Sequence, residues 1–402
     1  MSELKKYKLG DLGFFFGGVT SIKKEDYGHG TPFLPYKNVY KNSKVNVNEL
    51  ELMNVRPLDL ERRNAVYGDI FFTASSETPD EVAMSSVLLD EVENLTFNGF
   101  CKRFRLNDFN TLLPEYARYL FRDISFRREV YQLATGDIRF NISQESLANI
   151  EIEIPDLPTQ RQIAQILSSL DDKIEHNLQM NQTLEAMAQA IFKEWFVNFN
   201  FPGFDGELVD GLPKGWRKEP IDKSIEFLNG LALQKYPPLS DDDFLPVIKI
   251  RELRQGVTNS SDKASTQIPE KYVIENGDIL FSWSGSLEVV MWCNGQGALN
   301  QHLFKVSSEK YPKWFYYYWT KYFLPKYQAT ASDKATTMGH IQRRHLTESI
   351  INVPDFDLLN IANDILEPLL EKLKTNSLQI QSLTQTRDTL LPKLMSGQLE
   401  VV

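Results

Sequence analysis

Few side chains in this sequence are spaced for catalysis. Pro155-Asp156 followed by Asp171-Asp172-Lys173 has the spelling of a Pro-Asp…Asp-x-Lys nuclease. That motif needs its second half on a strand beside the first carboxylate. Here Asp171 and Lys173 fall within an apolar period that predicts a helix, so the spelling carries no nuclease. His340 and His345 are five apart and share no helix face, which argues against a metal pair. There is no Gly-x-x-x-x-Gly-Lys phosphate loop and no Gly-x-Gly-x-x-Gly dinucleotide turn. No Asn-Pro-Pro-Tyr or Asp-Pro-Pro-Tyr sequence of the amino-methyltransferase kind occurs.

What remains is the chemistry of binding. The first half holds Lys102-Arg103 with Arg105, then Arg127-Arg128, then Arg139. The second holds Lys249 with Arg251 and Arg254, then Lys334, then Arg343-Arg344. Small polar residues accompany both sets: Thr135, Asn141 and Ser143 in one, Thr336, Thr337 and Gln342 in the other. Arg and Lys neutralise phosphates, while Arg, Asn and Gln read base edges bidentately. The competing reading is a set of solvated faces with Asp and Glu neighbours. The group Thr135–Ser143 and its counterpart Ser332–Arg344 stand out, because both are polar and contain glycine. Gln301 and His302 belong to a polar trio with Asn300 that suits a surface or a turn. The aromatic run Trp314–Trp319 reads as the buried face of a helix, as Tyr116, Tyr119 and Leu120 suggest earlier in the chain; base stacking is its alternative.

The elements that must position these groups begin with one stretch. From Pro158 to Phe199, apolar or small residues fall at Ile163, Leu167, Leu170, Ile174, Leu184, Ala188, Ile191 and Trp195, with Asn177 and Asn181 in the gaps. Spacings of four and three alternate, the seam of a helix that packs along another helix. Thr159 with Gln162 gives a capping-box start behind Pro158. The rod would be roughly 60 Å long. The same spacing returns at Leu366, Leu369, Leu373, Asn376, Ile380, Leu383, Leu390 and Leu394, offset by 199 residues (376 − 177 and 383 − 184). Arg387 breaks this second seam where Ala188 stands in the first. An Asn in a seam fixes register at a cost in stability; the other reading is a surface Asn on a rotated helix.

The repeat covers nearly the whole chain. Gly68-Asp69-Ile70-Phe71-Phe72-Thr73 matches Gly277-Asp278-Ile279-Leu280-Phe281-Ser282, and Phe33-Leu34-Pro35 matches Phe244-Leu245-Pro246. Ile154-Pro155-Asp156-Leu157 matches Val353-Pro354-Asp355-Phe356. The organisation expected is a mixed α/β unit at 1–157, a long helix at 158–199, a linker at 200–212, a second unit at 213–355, and a second long helix with a tail at 356–402. Within the units, β-rich runs Asp69–Thr73 and Asp278–Trp283 follow Gly-Asp turns, helices start at Pro114 and Pro312, and runs of short strands lead to Pro155 and Pro354. The rods then pair antiparallel within one chain, placing the units about a pseudo-two-fold axis; pairing between two chains is the alternative. The fold class expected is α+β.

The 402 residues are enough for two to three domains. A net charge of −10 argues against nonspecific nucleic-acid binding through overall basicity, without excluding local basic patches. Cys101 and Cys293 lie far apart in no ligand spacing, so a reduced, cytoplasmic protein is expected. The opening Met-Ser-Glu-Leu-Lys-Lys lacks a following apolar core, so no signal peptide is expected, and the densest apolar run is too short to span a bilayer.

Over almost its full length the chain resembles the specificity subunit of type I restriction–modification systems. The resemblance is carried by Ile142-Ser143-Gln144-Glu145-Ser146-Leu147-Ala148-Asn149-Ile150, by Ile154-Pro155, by Gln160-Arg161-Gln162-Ile163-Ala164 and by Leu170-Asp171-Asp172-Lys173-Ile174-Glu175. Asn181-Gln182-Thr183-Leu184-Glu185, Leu212-Pro213-Lys214-Gly215-Trp216 and Leu391-Pro392-Lys393-Leu394-Met395-Ser396-Gly397 extend it. The resemblance implies two target-recognition domains, each reading half of a split double-stranded DNA site. It implies long helices that set the spacer and dock methyltransferase subunits, two of them, and no catalysis by this chain. S-adenosylmethionine, ATP and Mg would belong to partner subunits, the latter two to a motor–nuclease subunit. The rival readings are a self-contained enzyme, which lacks its motifs, and a coiled-coil scaffold whose globular ends bind proteins.

Overall fold

The computed structural model describes residues 4–20, 22–136, 138–240, 242–332 and 339–401. Gly68 and Gly277 lie in the left-handed region, at φ +86° and +94°, and turn the chain into Asp69 and Asp278. Each aspartate closes its turn by accepting from a backbone N–H three residues back, Val66 at 2.9 Å and Glu275 at 2.8 Å. The buried strands Ile70–Thr73 and Ile279–Ser282 follow. Each lies inside a four-stranded antiparallel sheet of one common order. In one sheet Gly13–Gly17, Cys101–Leu106, Ile70–Thr73 and Ser85–Val87 are neighbours; in the other Glu226–Asn229, Leu303–Ser307, Ile279–Ser282 and Val289–Met291.

A second, smaller sheet also recurs, and it corrects one sequence match. Phe33 and Leu34 pair in parallel with Thr96 and Phe97, and Val247 and Ile248 with Ala298 and Leu299. Phe33 therefore corresponds to Val247, and the shared Phe-Leu-Pro spelling at 244–246 is three residues out of register. The helices that follow, Tyr36–Lys41 and Ile250–Gln255, correspond accordingly.

The helix expected from Pro114 is two helices, Pro114–Leu120 and Ile124–Leu133, because buried Asp123 caps the second by accepting from Ser125 N at 2.8 Å. Its counterpart Lys313–Ser332 is continuous despite Pro325, and the whole run Trp314–Trp319 is buried. The approach to each rod holds one short helix and one strand, not a run of strands. These are Gln144–Ala148 with Glu151–Ile154, and Arg343–Thr347 with Ile350–Val353. The strands pair with Lys5–Lys8 and Arg217–Pro220, so each repeat closes on its own beginning.

The long helices are Leu157–Phe196 and Phe356–Met395, forty residues each. Their caps are Asp156 and Asp355, whose carboxylates accept from Thr159 N at 3.0 Å and Leu358 N at 2.9 Å. The expected Thr159–Gln162 capping box is thus replaced by the aspartate three residues earlier. The first helix ends three residues short of Phe199, which adopts φ +63°, while Glu194 accepts from Asn198 and Asn200 at 2.8 and 2.6 Å.

Two compact units result, Met1–Asp172 with Thr384–Val402, and Lys173–Leu383. In the first, Ile163, Ala164 and Leu167 share an apolar cluster with Leu390, Leu394, Tyr116 and Leu120. In the second, Leu184, Ala188 and Ile191 join Leu366, Leu369, Leu370 and Leu373 beneath the aromatic helix. Within this second unit Asn177 donates to Gln379 at 3.2 Å, Asn376 to Asn181 at 2.9 Å and Asn181 to Ser377 at 3.1 Å. Partner numbers fall as the first helix advances, so the helices run antiparallel in one chain. Asn177 and Asn376 are buried, at 1% and 0% exposure, which excludes the surface reading. They do not bond each other, and the Oδ1 of each has no partner among the described residues.

Arg387 is not a defect in the seam. In the first unit it reaches Asp171 at 2.8 Å, and Asp171 also accepts from Arg118 at 2.7 Å and from the Tyr119 hydroxyl at 2.8 Å. The 199-residue offset relates Asp171 to Leu370 and Arg387 to Ala188, both fully buried in the second unit's core. One repeat fills these positions with an ion pair, the other with apolar side chains.

Candidate nucleic-acid interface

Several predicted contacts turn inward, because nearby carbonyls and carboxylates claim them. Arg105 donates to both oxygens of fully buried Asp69 at 2.7 Å each. Arg103, 3% exposed, donates to the Asn64 carbonyl and lies over the Phe16 and Phe97 rings. Arg127 donates to the carbonyls of Asp80, Val82 and Ala83 at 2.5–2.7 Å. Arg103, Arg105 and Arg127 therefore serve the fold. Lys249 is paired with Asp262, and Arg254 with Glu288. Arg343 donates to the Phe227 carbonyl at 3.2 Å and covers the Phe304 ring. Arg128, Arg139, Arg343 and Arg344 are exposed, and Lys102 is half-buried. Lys334 and Thr336 lie outside the described residues.

The nuclease spelling dissolves on the same geometry. Asp156 caps the first long helix and Asp171 sits fifteen residues along it, roughly 22 Å at 1.5 Å per residue. Among the described residues no group of three or more His, Cys, Asp or Glu side chains could hold a metal ion.

A different cluster recurs at one end of each four-stranded sheet. After the strand Ile70–Thr73, Ser75 pairs with Asn141; after Ile279–Ser282, Ser284 bridges to His340. The next backbone bonds correspond as well, Ile142 N to Ala74 O at 3.1 Å and Ile341 N to Trp283 O at 3.0 Å. Beside each stands the same side-chain turn. Asn98 Oδ1 accepts from Phe100 N at 2.8 Å, and Asn300 Oδ1 from His302 N at 3.1 Å. Gly18 and Gly230 cross these turns so closely that a Cβ would lie 2.3 and 2.2 Å from the Asn98 and Asn300 carbonyl oxygens. The tips of the turns are the exposed Phe100 and His302.

Around Phe100 the first unit places exposed Arg139 with Ser75, Ser76, Tyr36 and Tyr40; exposed Asn141 pairs with Ser75, and exposed Thr135 bridges to Asn141. The Tyr36 hydroxyl donates to Ser75 O at 2.7 Å. The Tyr40 hydroxyl donates to Glu81 Oε1 at 2.6 Å. That bond, with burial, pushes the phenol up to about 12; the same bond, against burial, holds the Glu81 carboxyl below its ordinary value. Around His302 the second unit places Gln301, Ser284, Trp283 and His340. Ser284 Oγ and His302 Nδ1 are 3.0 Å apart, and the Trp283 ring lies 5.7 Å from that of His302. Trp283 Nε1 donates to Asn229 at 2.9 Å. Each cluster is a group of polar and aromatic side chains suited to base edges and base faces, and the first lines a cleft.

Of the predicted residues, the structure gathers Thr135, Arg139 and Asn141 in one cluster and Gln301 and His302 in the other. Sequence reading missed Phe100, Tyr36, Tyr40 and Glu81, and Trp283, Ser284 and Asn229, and gave His340 no role. Aligning Asn98-Gly99-Phe100 with Asn300-Gln301-His302 would have found the two tips.

The model of the type I restriction modification DNA specificity domain matches residues 1–186 and 213–385. The MjaIX type I restriction enzyme specificity subunit of Methanocaldococcus jannaschii is 26% identical over 418 residues, covering 99% of this chain and 94% of that protein. The HindI specificity subunit of Haemophilus influenzae is 24% identical over 475 residues, covering 99% and 100%. The crystal structure of the type I restriction–modification S subunit from M. genitalium has the same fold, with TM-score 0.62, 16% identity and coverage of 98% and 96%. The chain belongs to the type I restriction–modification DNA specificity family. That is a family of specificity subunits and not of catalysts, which act on DNA as part of a complex. No described helix is long and apolar enough to cross a membrane.

Proposed function

We propose that this chain is the DNA-reading subunit of a cytoplasmic type I complex. Residues 1–157 and 213–355 act as target-recognition domains, each reading one half of a split double-stranded site. The long helices set the spacer and dock two methyltransferase subunits, which bind S-adenosylmethionine; ATP and Mg belong to a motor–nuclease subunit. The observation that carries this reading is the repeated frame with unlike tips. The same strand end, crossing segment and Asn turn recur in both units, yet present Phe100 and Asn141 in one and His302 and His340 in the other. A common frame with different tips suits a site of two different halves. Exposed Arg128, Arg139 and Arg344 are the candidate phosphate contacts, and Lys334 and Thr336 join them from sequence.

The test is domain replacement. Exchanging residues 1–157 for the matching segment of another family member, in the complex with methyltransferase, should change one half-site. Sequencing of methylated adenines reads the outcome, and a change in both halves would refute two independent readers.

A further inference from the structure

The two units differ in the loop that leaves the strand Ile70–Thr73 or Ile279–Ser282. In each, a strand-end hydroxyl accepts from the far side of that loop: Thr73 Oγ1 from Met84 N at 2.9 Å, Ser282 Oγ from Glu288 N at 2.8 Å. The first loop is therefore five residues longer (84 − 73 against 288 − 282), and it carries Glu81. It is also pinned, since Arg127 holds the carbonyls of Asp80, Val82 and Ala83, and Tyr36 holds that of Ser75. Loop and neighbours enclose a cleft of about 420 Å³ lined by Tyr36, Tyr40, Ser76, Glu81, Phe100 and Arg139.

Within the cleft the Glu81 carboxylate is preorganised but not neutralised. Tyr40 donates to Oε1 at 2.6 Å and Ser76 to Oε2 at 2.9 Å, both from uncharged hydroxyls. Among the described residues Glu81 forms no ion pair. The second unit does the reverse. The helix correspondence puts Arg254 at the place of Tyr40, and Arg254 forms an ion pair with Glu288. Each Glu81 oxygen still has acceptor capacity, since a carboxylate offers about four lone-pair sites and two are used. A charged acceptor repels phosphate. The donors that DNA presents in its major groove are the exocyclic amino groups of cytosine and adenine.

We propose that Glu81 is a specificity-determining residue whose carboxylate accepts a hydrogen bond from the exocyclic amino group of a cytosine or an adenine in the half-site read by the first unit. This rests on the DNA-reading function proposed above. A base pair presenting no amino group there would leave a desolvated carboxylate without its donor, which is how such a contact discriminates.

The test uses the full chain in complex with its methyltransferase subunits and duplexes of the methylation-mapped site. In one series each adenine in turn becomes purine, lacking the 6-amino group; in the other each cytosine becomes 2-pyrimidinone, lacking the 4-amino group. One replacement in one half-site should weaken wild-type binding roughly 5- to 150-fold, the range for one good base contact. The Glu81→Ala complex should be indifferent to that replacement while keeping every preference in the other half-site, which also certifies its folding. The responding series identifies the base. If every loss on amino-group deletion persists in Glu81→Ala, the proposal is overturned and the DNA-reading function stands. If the wild-type complex selects no split site, both fall together.

Discussion

The ion pair that one repeat has and the other lacks makes a quantitative prediction. In the first unit Asp171, 11% exposed, serves Arg118, 12% exposed, and Arg387, 29% exposed, as well as Tyr119. Asp171→Leu installs the residue of the other repeat but leaves Arg118 without a carboxylate and Arg387 with Asp388 alone, at 2.8 and 2.9 Å, in a largely dry site. Breaking a buried pair from one side costs about 3–5 kcal/mol. Arg387→Ala leaves Asp171 with Arg118 and Tyr119, so it loses one charge-assisted bond, about 1.5–3 kcal/mol. The double variant Asp171→Leu/Arg387→Ala copies Leu370 and Ala188 of the second unit. Only Arg118 is then left without its carboxylate, and it keeps its 2.9 Å bond to Ser43. The double variant should be more stable than Asp171→Leu alone, so the two changes are coupled by at least the cost of Arg387→Ala itself, about 1.5 kcal/mol or more, in the upper part of the range for contacting residues.

Urea denaturation provides the assay. With a slope of about 2 kcal/mol/M, Asp171→Leu should lower the midpoint by about 1.5–2.5 M. All six tryptophans, residues 195, 216, 283, 292, 314 and 319, lie in the second unit. Tryptophan fluorescence therefore reports that unit alone, and helical circular dichroism reports both. The shift should be seen in the dichroism. If Asp171→Leu melts within 0.5 kcal/mol of wild type, a surface-substitution value, or if the double variant loses the sum of the two singles, the pair does not hold the helices as described.

Three further outcomes follow from the site and the rods. Arg105→Ala should lose about 3–5 kcal/mol of stability by removing both guanidinium bonds from buried Asp69, which keeps only Arg103 at 4.0 Å and the Val66 N–H, with half-site preferences unchanged in whatever folds. Phe100→Ala should leave the urea midpoint in place and weaken DNA binding by about 1–3 kcal/mol if Phe100 stacks on a base; equilibrium binding at fixed salt separates the two. Inserting four residues after Leu178 lengthens that helix by roughly 6 Å, which is one or two base steps of about 3.4 Å. Methylation mapping should then show a changed spacer with both half-sites intact, once circular dichroism has shown that the helix pair still folds.

The chain announces its repeats, its rods and the strands after each Gly-Asp turn, because these depend on periodicity and short-range backbone geometry. Pro-Asp at 155–156 and 354–355 was visible as a joint, and the structure shows that its aspartate is the cap. The aromatic run at 314–319 was legible as core for the same reason. A spelling match without a pairing partner was less secure: Phe-Leu-Pro recurs at 244–246, yet the parallel ladder aligns Phe33 with Val247.

What one arginine does was not legible. Arg103, Arg105 and Arg139 differ in nothing that sequence displays, but the first two meet Asp69 and the Asn64 carbonyl from 34 to 41 residues away, while Arg139 reaches the rim of an open cleft. Arg387 read as a flaw until Asp171, 216 residues earlier, was placed against it. Sequence by itself determined the two-copy frame, since helix period and turn chemistry act within a few residues. Only tertiary structure decided which charges face inward and which polar tips stand together, because a side chain's partners are set by segments that meet in space and not along the chain.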